Sequence, residues 1–220
     1  MHLIGIDLDG TLEDSRDDMT AAARRVRSRL ALPERSDAEL RPWVNAGMDR
    51  LYRACFDDYI AAGDGAARLE AVRAAYERDY GEHIAVKTRL YEGIAGSLAE
   101  LARIGALCCV TNKPENLSRR LLESLGVAEH FVAVIGGDTC ERAKPDPIML
   151  HAAAERARFD PTRGRAFMIG DTDGDIELAK SFGAIAVWCA WGYVEAARLV
   201  PDHVARRPGE LPEIVRSAHR

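Results

Sequence analysis

The sequence predicts an α/β fold: a three-layer core built on a parallel sheet, with an α-helical cap inserted after the first strand. Short apolar runs bounded by glycine or polar residues recur at 2–6, 106–110, 132–135, 165–169 and 184–188, which is strand length and strand punctuation. Helical periodicity fills the gaps between the later runs, the pattern of parallel βαβ units, and near-continuous apolar strands suit a sheet covered on both faces. From residue 14 to residue 89 no strand-like run occurs; Ala, Arg, Leu and Glu dominate, with breaks at Ala31-Leu32-Pro33 and Ala62-Gly63-Asp64-Gly65. One strand precedes this helical stretch and the others follow it. The chain is therefore expected to divide into a core of 1–13 and 90–220 and a cap of 14–89 that lies over the site.

Composition narrows the function. The chain has 220 residues, 47% of them hydrophobic and 30% charged, enough for a full α/β core with a smaller inserted domain. Its formal charge of -5 argues against a general affinity for nucleic acid or anionic membrane, so neither is an expected partner and any anion must be captured locally. Five cysteines, Cys55, Cys108, Cys109, Cys140 and Cys189, have no metal-ligand spacing, and their odd number speaks for reduced core thiols. Leu3-Ile4-Gly5-Ile6 runs straight into acidic residues with no basic head, long apolar stretch or cleavage site, so a cytoplasmic protein is expected, as monomer or homodimer.

In chain order, the first strand delivers Asp7-Leu8-Asp9-Gly10-Thr11-Leu12. If extended geometry continues, Asp7 and Asp9 share a side, and two crowded carboxylates call for a hard divalent cation, Mg2+. A carboxylate can also attack phosphorus while a neighbouring acid protonates the departing alkoxide and later activates water, so Asp7 reads as nucleophile and Asp9 as acid/base. Gly10 would let the backbone approach a phosphate, and Thr11 offers a hydroxyl. Taken by itself, Asp-x-Asp-Gly reads as an ordinary turn.

After the helical insertion, Gly93, Gly96 and Gly105 punctuate a helix carrying Ile94, Leu98 and Leu101 that leads into the second strand. That strand ends in Thr111-Asn112-Lys113-Pro114, where a hydroxyl and an amide can donate to phosphoryl oxygens; Asn112 is also a good cap for a helix starting near Pro114. Beyond Gly136-Gly137-Asp138-Thr139, two prolines stiffen the segment that carries Lys144, Ala143-Lys144-Pro145-Asp146-Pro147. Its ammonium can offset charge between carboxylates and phosphate, or simply lie solvated on the surface. The next strand ends in Gly170-Asp171-Thr172-Asp173-Gly174-Asp175. Ile176 and Phe182 stand where a calcium loop needs Gly and Glu, which rules out an EF-hand. Asp171 is the direct metal ligand expected here, and Asp175 either binds the ion or orients Lys144. The segment 201–220 is polar and reads as peripheral.

These four segments, in this order, resemble the haloacid dehalogenase-like hydrolase superfamily, and most closely its phosphoglycolate phosphatase-like branch with a helical cap. The resemblance extends to Tyr91-Glu92-Gly93-Ile94 and Trp191-Gly192-Tyr193 and covers nearly the whole chain. It implies a Rossmann-like core and a Mg2+-dependent phosphomonoester hydrolase acting on a small phosphorylated metabolite, with 2-phosphoglycolate favoured. It carries the nucleophile onto Asp7, the acid/base onto Asp9, phosphate binding onto Thr111, the lysine onto Lys144 and the metal acids onto Asp171 and Asp175, with Asp9 reaching the metal through its backbone carbonyl. Gly10, Thr11, Asn112 and Lys113 fall in the substrate-binding segments, and an acid at Asp9 favours phosphoryl transfer over dehalogenation. Two departures stand out: Glu13 replaces a usual apolar residue at the entrance to the cap, and Asn45 replaces a usual glycine in Trp43-Val44-Asn45-Ala46-Gly47. Trp43, Asn45, Met48 and Arg50 are the cap residues read as determinants of specificity, Trp43 and Met48 being equally suited to a core. A phosphosugar mutase shares the chemistry; a phospho-Asp receiver lacks the cap-sized insertion and the Asp171 cluster, and a dinucleotide fold needs a Gly-x-Gly-x-x-Gly that is absent.

Overall fold

The computed structural model describes residues 1–44 and 47–217. The chain forms two compact units, Met1–Asp14 with Leu90–Arg220, and Ser15–Arg89. Among the described residues the first holds a sheet of six parallel strands: β1 (His2–Ile6), β2 (Gly105–Val110), β3 (Phe131–Ile135), β4 (Ala166–Gly170), β5 (Ile185–Cys189) and β6 (His203–Ala205), in the spatial order β3-β2-β1-β4-β5-β6. Every residue of β1 is buried, as the unbroken apolar run requires of a strand covered on both faces. Ile6 lies opposite Cys109 on one side and Ile169 on the other, so β1 is flanked by β2 and β4. From β1 the chain builds outward to β2 and β3, then returns across β1 to begin β4. The strand order thus reverses between β1 and β4, which opens a crevice beyond their carboxyl ends.

Helices α8 (Ile148–Arg156) and α9 (Asp173–Phe182) pack on one face with Leu3, Val110, Met168, Ile176 and Trp188 in a shared core. Gly5 permits the close approach of α8: a Cβ there would lie 2.9 Å from Leu150 Cδ2 and 3.1 Å from Met168 Sδ. Helix α6 (Ile94–Leu101) starts at Gly93, whose φ of 89° suits glycine, and buries Ile94, Leu98 and Leu101 at the expected spacing. Helix α7 (Glu115–Ser124) follows Pro114.

The second unit is helical: α1 (Arg16–Arg29), α2 (Asp37–Val44), α3 (Met48–Cys55), α4 (Asp57–Ala61) and α5 (Gly65–Glu82). Both sequence breaks fall between helices, and Asp64 caps α5 by accepting from the N–H groups of Ala66 and Ala67. Buried Arg27 ties the unit together, donating to the carbonyls of Cys55 (2.6 Å) and Pro33 (2.8 Å) and to Asp58 (2.6 Å). Asp18 accepts from the N–H groups of Lys87 and Thr88 and from the Thr88 hydroxyl, which fastens the end of the unit to its first helix. Among the described residues no helix is long and apolar enough to cross a membrane.

The reading of 201–220 as peripheral is corrected. His203–Ala205 adds the sixth strand beside β5, and Ala205, Leu211 and Val215 are buried, with α10 (Leu211–Ser217) packed on α6. A three-residue strand is too short to express a period of two, so the sequence carried no strand signal there. Leu211→Ala is expected to cost about 2–5 kcal/mol in denaturant-induced unfolding, as for a buried leucine; a cost near zero would restore the tail to the periphery.

Candidate active site

Asp7, Asp171, Asp175 and Lys144 come together beyond the ends of β1 and β4. Asp7 is the first residue after β1, and its N–H extends the ladder by donating to the Ile169 carbonyl (2.9 Å). Thr111 follows β2 in the same way, donating to the Ile135 carbonyl (3.0 Å), and Asp171 follows β4. Parallel strands in register therefore deliver these three residues to one level of the sheet.

Extended geometry does not continue to Asp9. The Leu8 carbonyl accepts from the N–H groups of Thr11 (3.3 Å) and Leu12 (2.9 Å), Gly10 takes a φ of 83°, and its N–H donates to the Glu13 carbonyl (2.9 Å). The turn gives the two carboxylates different partners. Asp7 Oδ1 accepts from Lys144 Nζ (2.6 Å), whereas Asp9 Oδ1 accepts a short bond from Lys113 Nζ. The like-charge crowding expected of Asp7 and Asp9 is instead met by Asp7, Asp171 and Asp175. These three are buried, and each turns one carboxylate oxygen to a common space within 4.8 Å of the others.

Lys144 is aimed by its backbone. Its N–H donates to Asn112 Oδ1 (2.9 Å), and Asn112 Nδ2 donates to its carbonyl (3.4 Å). Asn112 thus serves as a clasp between two loops and not as the cap of α7; the Glu115 N–H at the start of that helix donates instead to Asp138 (2.7 Å). The loops meet closely because Gly136 and Gly137 have no Cβ, which would run into the backbones of Glu115 and Asn112. The Lys144 ammonium spans Asp7 and Asp175 Oδ1 (2.8 Å). Asp175 gives its second oxygen to the N–H (3.0 Å) and hydroxyl (2.7 Å) of Thr172 at the start of α9. Asp175 therefore touches the Lys144 ammonium and also borders the space it shares with Asp7 and Asp171.

Asp171 is held on both oxygens, by the Thr11 hydroxyl (3.3 Å) and the Tyr193 N–H (2.7 Å). A Cβ at Gly10 or Gly192 would collide with its carboxylate, and Trp191 Nε1 donates to the Thr11 carbonyl (3.0 Å). Thr172, Tyr193 and Gly192 were given no role from sequence, although Thr172 three residues before Asp175 is a legible capping pattern. Thr111 is buried, and its hydroxyl accepts the Lys113 N–H (3.2 Å). Glu13 is buried too. Arg50 is exposed on α3 of the helical unit, where Met48 is half-buried and Trp43 exposed; Asn45 lies outside the described residues.

Burial raises the pKa of Asp7 well above the ordinary carboxylate range against the opposing pull of Lys144. Burial, with Asp175 beside it, pushes Asp171 up to about 7. Burial also works against the Lys144 charge, but Asp175 and Asp7 outweigh it and raise its pKa. One ammonium faces three buried carboxylates, and a cation among them would relieve the remaining repulsion.

The sign of the resulting pH dependence is fixed. Asp171 holds its proton in the folded chain up to about pH 7, whereas an ordinary aspartate loses it near 3.8, so folding without divalent cations becomes less favourable as pH rises between those values. In chelator, the unfolding free energy of Asp171→Asn relative to the parent chain is expected to rise from pH 4 to pH 7 and then level off. Parallel profiles would locate the strain elsewhere.

The geometry has close counterparts. The Haloacid dehalogenase-like hydrolase family model matches residues 4–189. Phosphoglycolate phosphatase of Chromobacterium violaceum is 32% identical over 216 residues, covering 97% of this chain and 96% of the relative. The enzyme of the same description from Neisseria meningitidis is 34% identical over 219 residues, covering 97% and 92%. Among solved structures, a predicted phosphoglycolate phosphatase from Haemophilus somnus superposes with a TM-score of 0.81 at 25% identity, with 96% of each chain covered. With its parallel sheet, its carboxylates at the ends of β1 and β4 and matches over nearly its whole length, the chain belongs to the haloacid dehalogenase-like hydrolase family.

Proposed function

We propose that this phosphatase hydrolyses small phosphomonoesters, 2-phosphoglycolate among them, through a phosphoryl group carried on Asp7, with Mg2+ held by Asp7, Asp171 and Asp175. The single observation that carries the reading is the cluster of those three carboxylates around Lys144 at the reversal of strand order. The substrate is that of the relatives, which cover nearly the full chain.

The donor set fits the ion. All three side chains offer oxygen, the preference of a hard divalent cation, and their burial together is costly without positive charge beyond Lys144. Bound there, Mg2+ would neutralise phosphate charge and lower the barrier to anionic attack. Thr11 and the Tyr193 N–H fix Asp171 in advance, so its carboxylate needs no reordering to take up an ion.

Asp7 attacks phosphorus, forming an acyl phosphate as the P–O bond to the leaving group breaks; Asp9 protonates the departing oxygen. Asp9 then takes a proton from water, whose oxygen attacks phosphorus and releases inorganic phosphate and the Asp7 carboxylate. Lys144 faces Asp7 throughout and balances charge that builds on the phosphoryl oxygens. Thr111, buried at the end of β2, supplies a hydroxyl to the same group.

Purified protein is expected to release phosphate from p-nitrophenyl phosphate and 2-phosphoglycolate with Mg2+, and to stop in chelator. Asp7→Asn should lower kcat by on the order of 10³-fold or more, the scale of losing a nucleophile. Activity that survives the substitution would exclude Asp7 from that role.

A further inference from the structure

Trp191 is a large side chain to which the proposed reaction gives no task. It follows β5 by two residues, is half-buried, and borders a cavity of about 650 Å3 that Tyr91 and Pro208 also line, so filling the core does not account for it. Its indole N–H is nonetheless placed: Nε1 donates to the Thr11 carbonyl (3.0 Å). An indole has one donor and no acceptor, so this bond uses its whole hydrogen-bonding capacity. Thr11, fully buried, is thereby held at two points, since its hydroxyl donates to Asp171 Oδ1 (3.3 Å). Two residues beyond Trp191, the Tyr193 N–H donates to Asp171 Oδ2 (2.7 Å).

These contacts form a closed circuit. From one oxygen of Asp171 it runs through the Thr11 hydroxyl and carbonyl to the Trp191 indole, along the chain through Gly192 to the Tyr193 N–H, and back to the other oxygen of Asp171. Within the circuit the indole bond joins the turn after β1 to the segment after β5, and so fixes the two donors of Asp171 relative to each other. The segment has a further anchor, because the N–H groups of Arg198 (2.8 Å) and Leu199 (3.0 Å) donate to Asp173 Oδ1. Loss of the indole N–H would therefore open the circuit without releasing the segment. A carboxylate held by two fixed donors keeps one orientation, and outer partners of this kind set the affinity of a ligand for its metal. We infer that Trp191 is a positioning residue whose indole N–H locks the Asp171 carboxylate in the orientation that receives a divalent cation. This inference rests on the cation site proposed for Asp7, Asp171 and Asp175.

The test is Mn2+ binding to the metal-free chain, followed by calorimetry with no substrate present. Trp191→Phe keeps an aromatic ring and removes the N–H; it is expected to weaken Mn2+ binding by on the order of tenfold, the scale on which outer partners of a metal ligand act. Thr11→Val removes the hydroxyl at the other side of the circuit. In that background Trp191→Phe is expected to cost no more than about threefold, because residues that act through one network are not additive. The Mg2+ concentration needed for half-maximal turnover of p-nitrophenyl phosphate should rise with the loss of affinity. Trp191→Met takes its place if the phenylalanine variant does not fold. Undiminished Mn2+ affinity in Trp191→Phe, with or without a fall in melting temperature, overturns the inference, and so does an equal loss with and without the Thr11 hydroxyl. Binding of Mn2+ that needs Asp171 but not the indole N–H removes this inference and leaves the cation site standing. Mn2+ bound no better by the unaltered chain than by Asp171→Asn removes both.

Discussion

Repulsion among buried carboxylates governs this site. Asp7, Asp171 and Asp175 lie buried within a few ångströms of one another, with Lys144 as the ammonium between two of them. Left alone, such a group would protonate or push the strands apart. Much of the surrounding structure opposes that tendency. Asn112 fixes the Lys144 backbone, Thr172 takes the second oxygen of Asp175, and Thr11 and Tyr193 take both oxygens of Asp171. The glycines at 10 and 192 let backbone crowd against Asp171, where any larger residue would collide with it. The fold thus concentrates negative charge beyond the carboxyl ends of β1 and β4.

Much of this was legible in the sequence because strand ends and chemistry coincide. A parallel sheet buried on both faces writes each strand as an unbroken apolar run, so Asp7, Thr111 and Asp171 are each marked as the first polar residue after such a run. Lys144 lay outside that logic: it follows β3 by several residues and reaches Asp7 through a loop whose course depends on Gly136, Gly137 and the Asn112 clasp. Capping chemistry pointed Asn112 toward its own helix, and only the tertiary fold shows that the amide is used across loops. The separate pairing of Asp9 with Lys113 was equally hidden, since alternation along a strand gives no warning that the chain turns at Leu8. The sixth strand escaped for a simpler reason, its three residues.

The haloacid dehalogenase-like hydrolase family model matches residues 4–189 of this chain, and within that span two lysines divide the carboxylates between them. Lys144 is tied to the carboxylates that any phosphoryl transfer on Asp7 would need. Lys113 is tied instead to Asp9.

Asp175 carries a consequence of another kind. One of its oxygens completes the start of α9 through Thr172, and the other steadies the ammonium that faces Asp7. Folding and chemistry therefore draw on the two halves of a single carboxylate, three atoms across. A change that frees one oxygen disturbs the other, so selection acting on this position cannot trade durability against turnover as it can at most sites. The start of α9 and the placing of the Lys144 ammonium are inherited together.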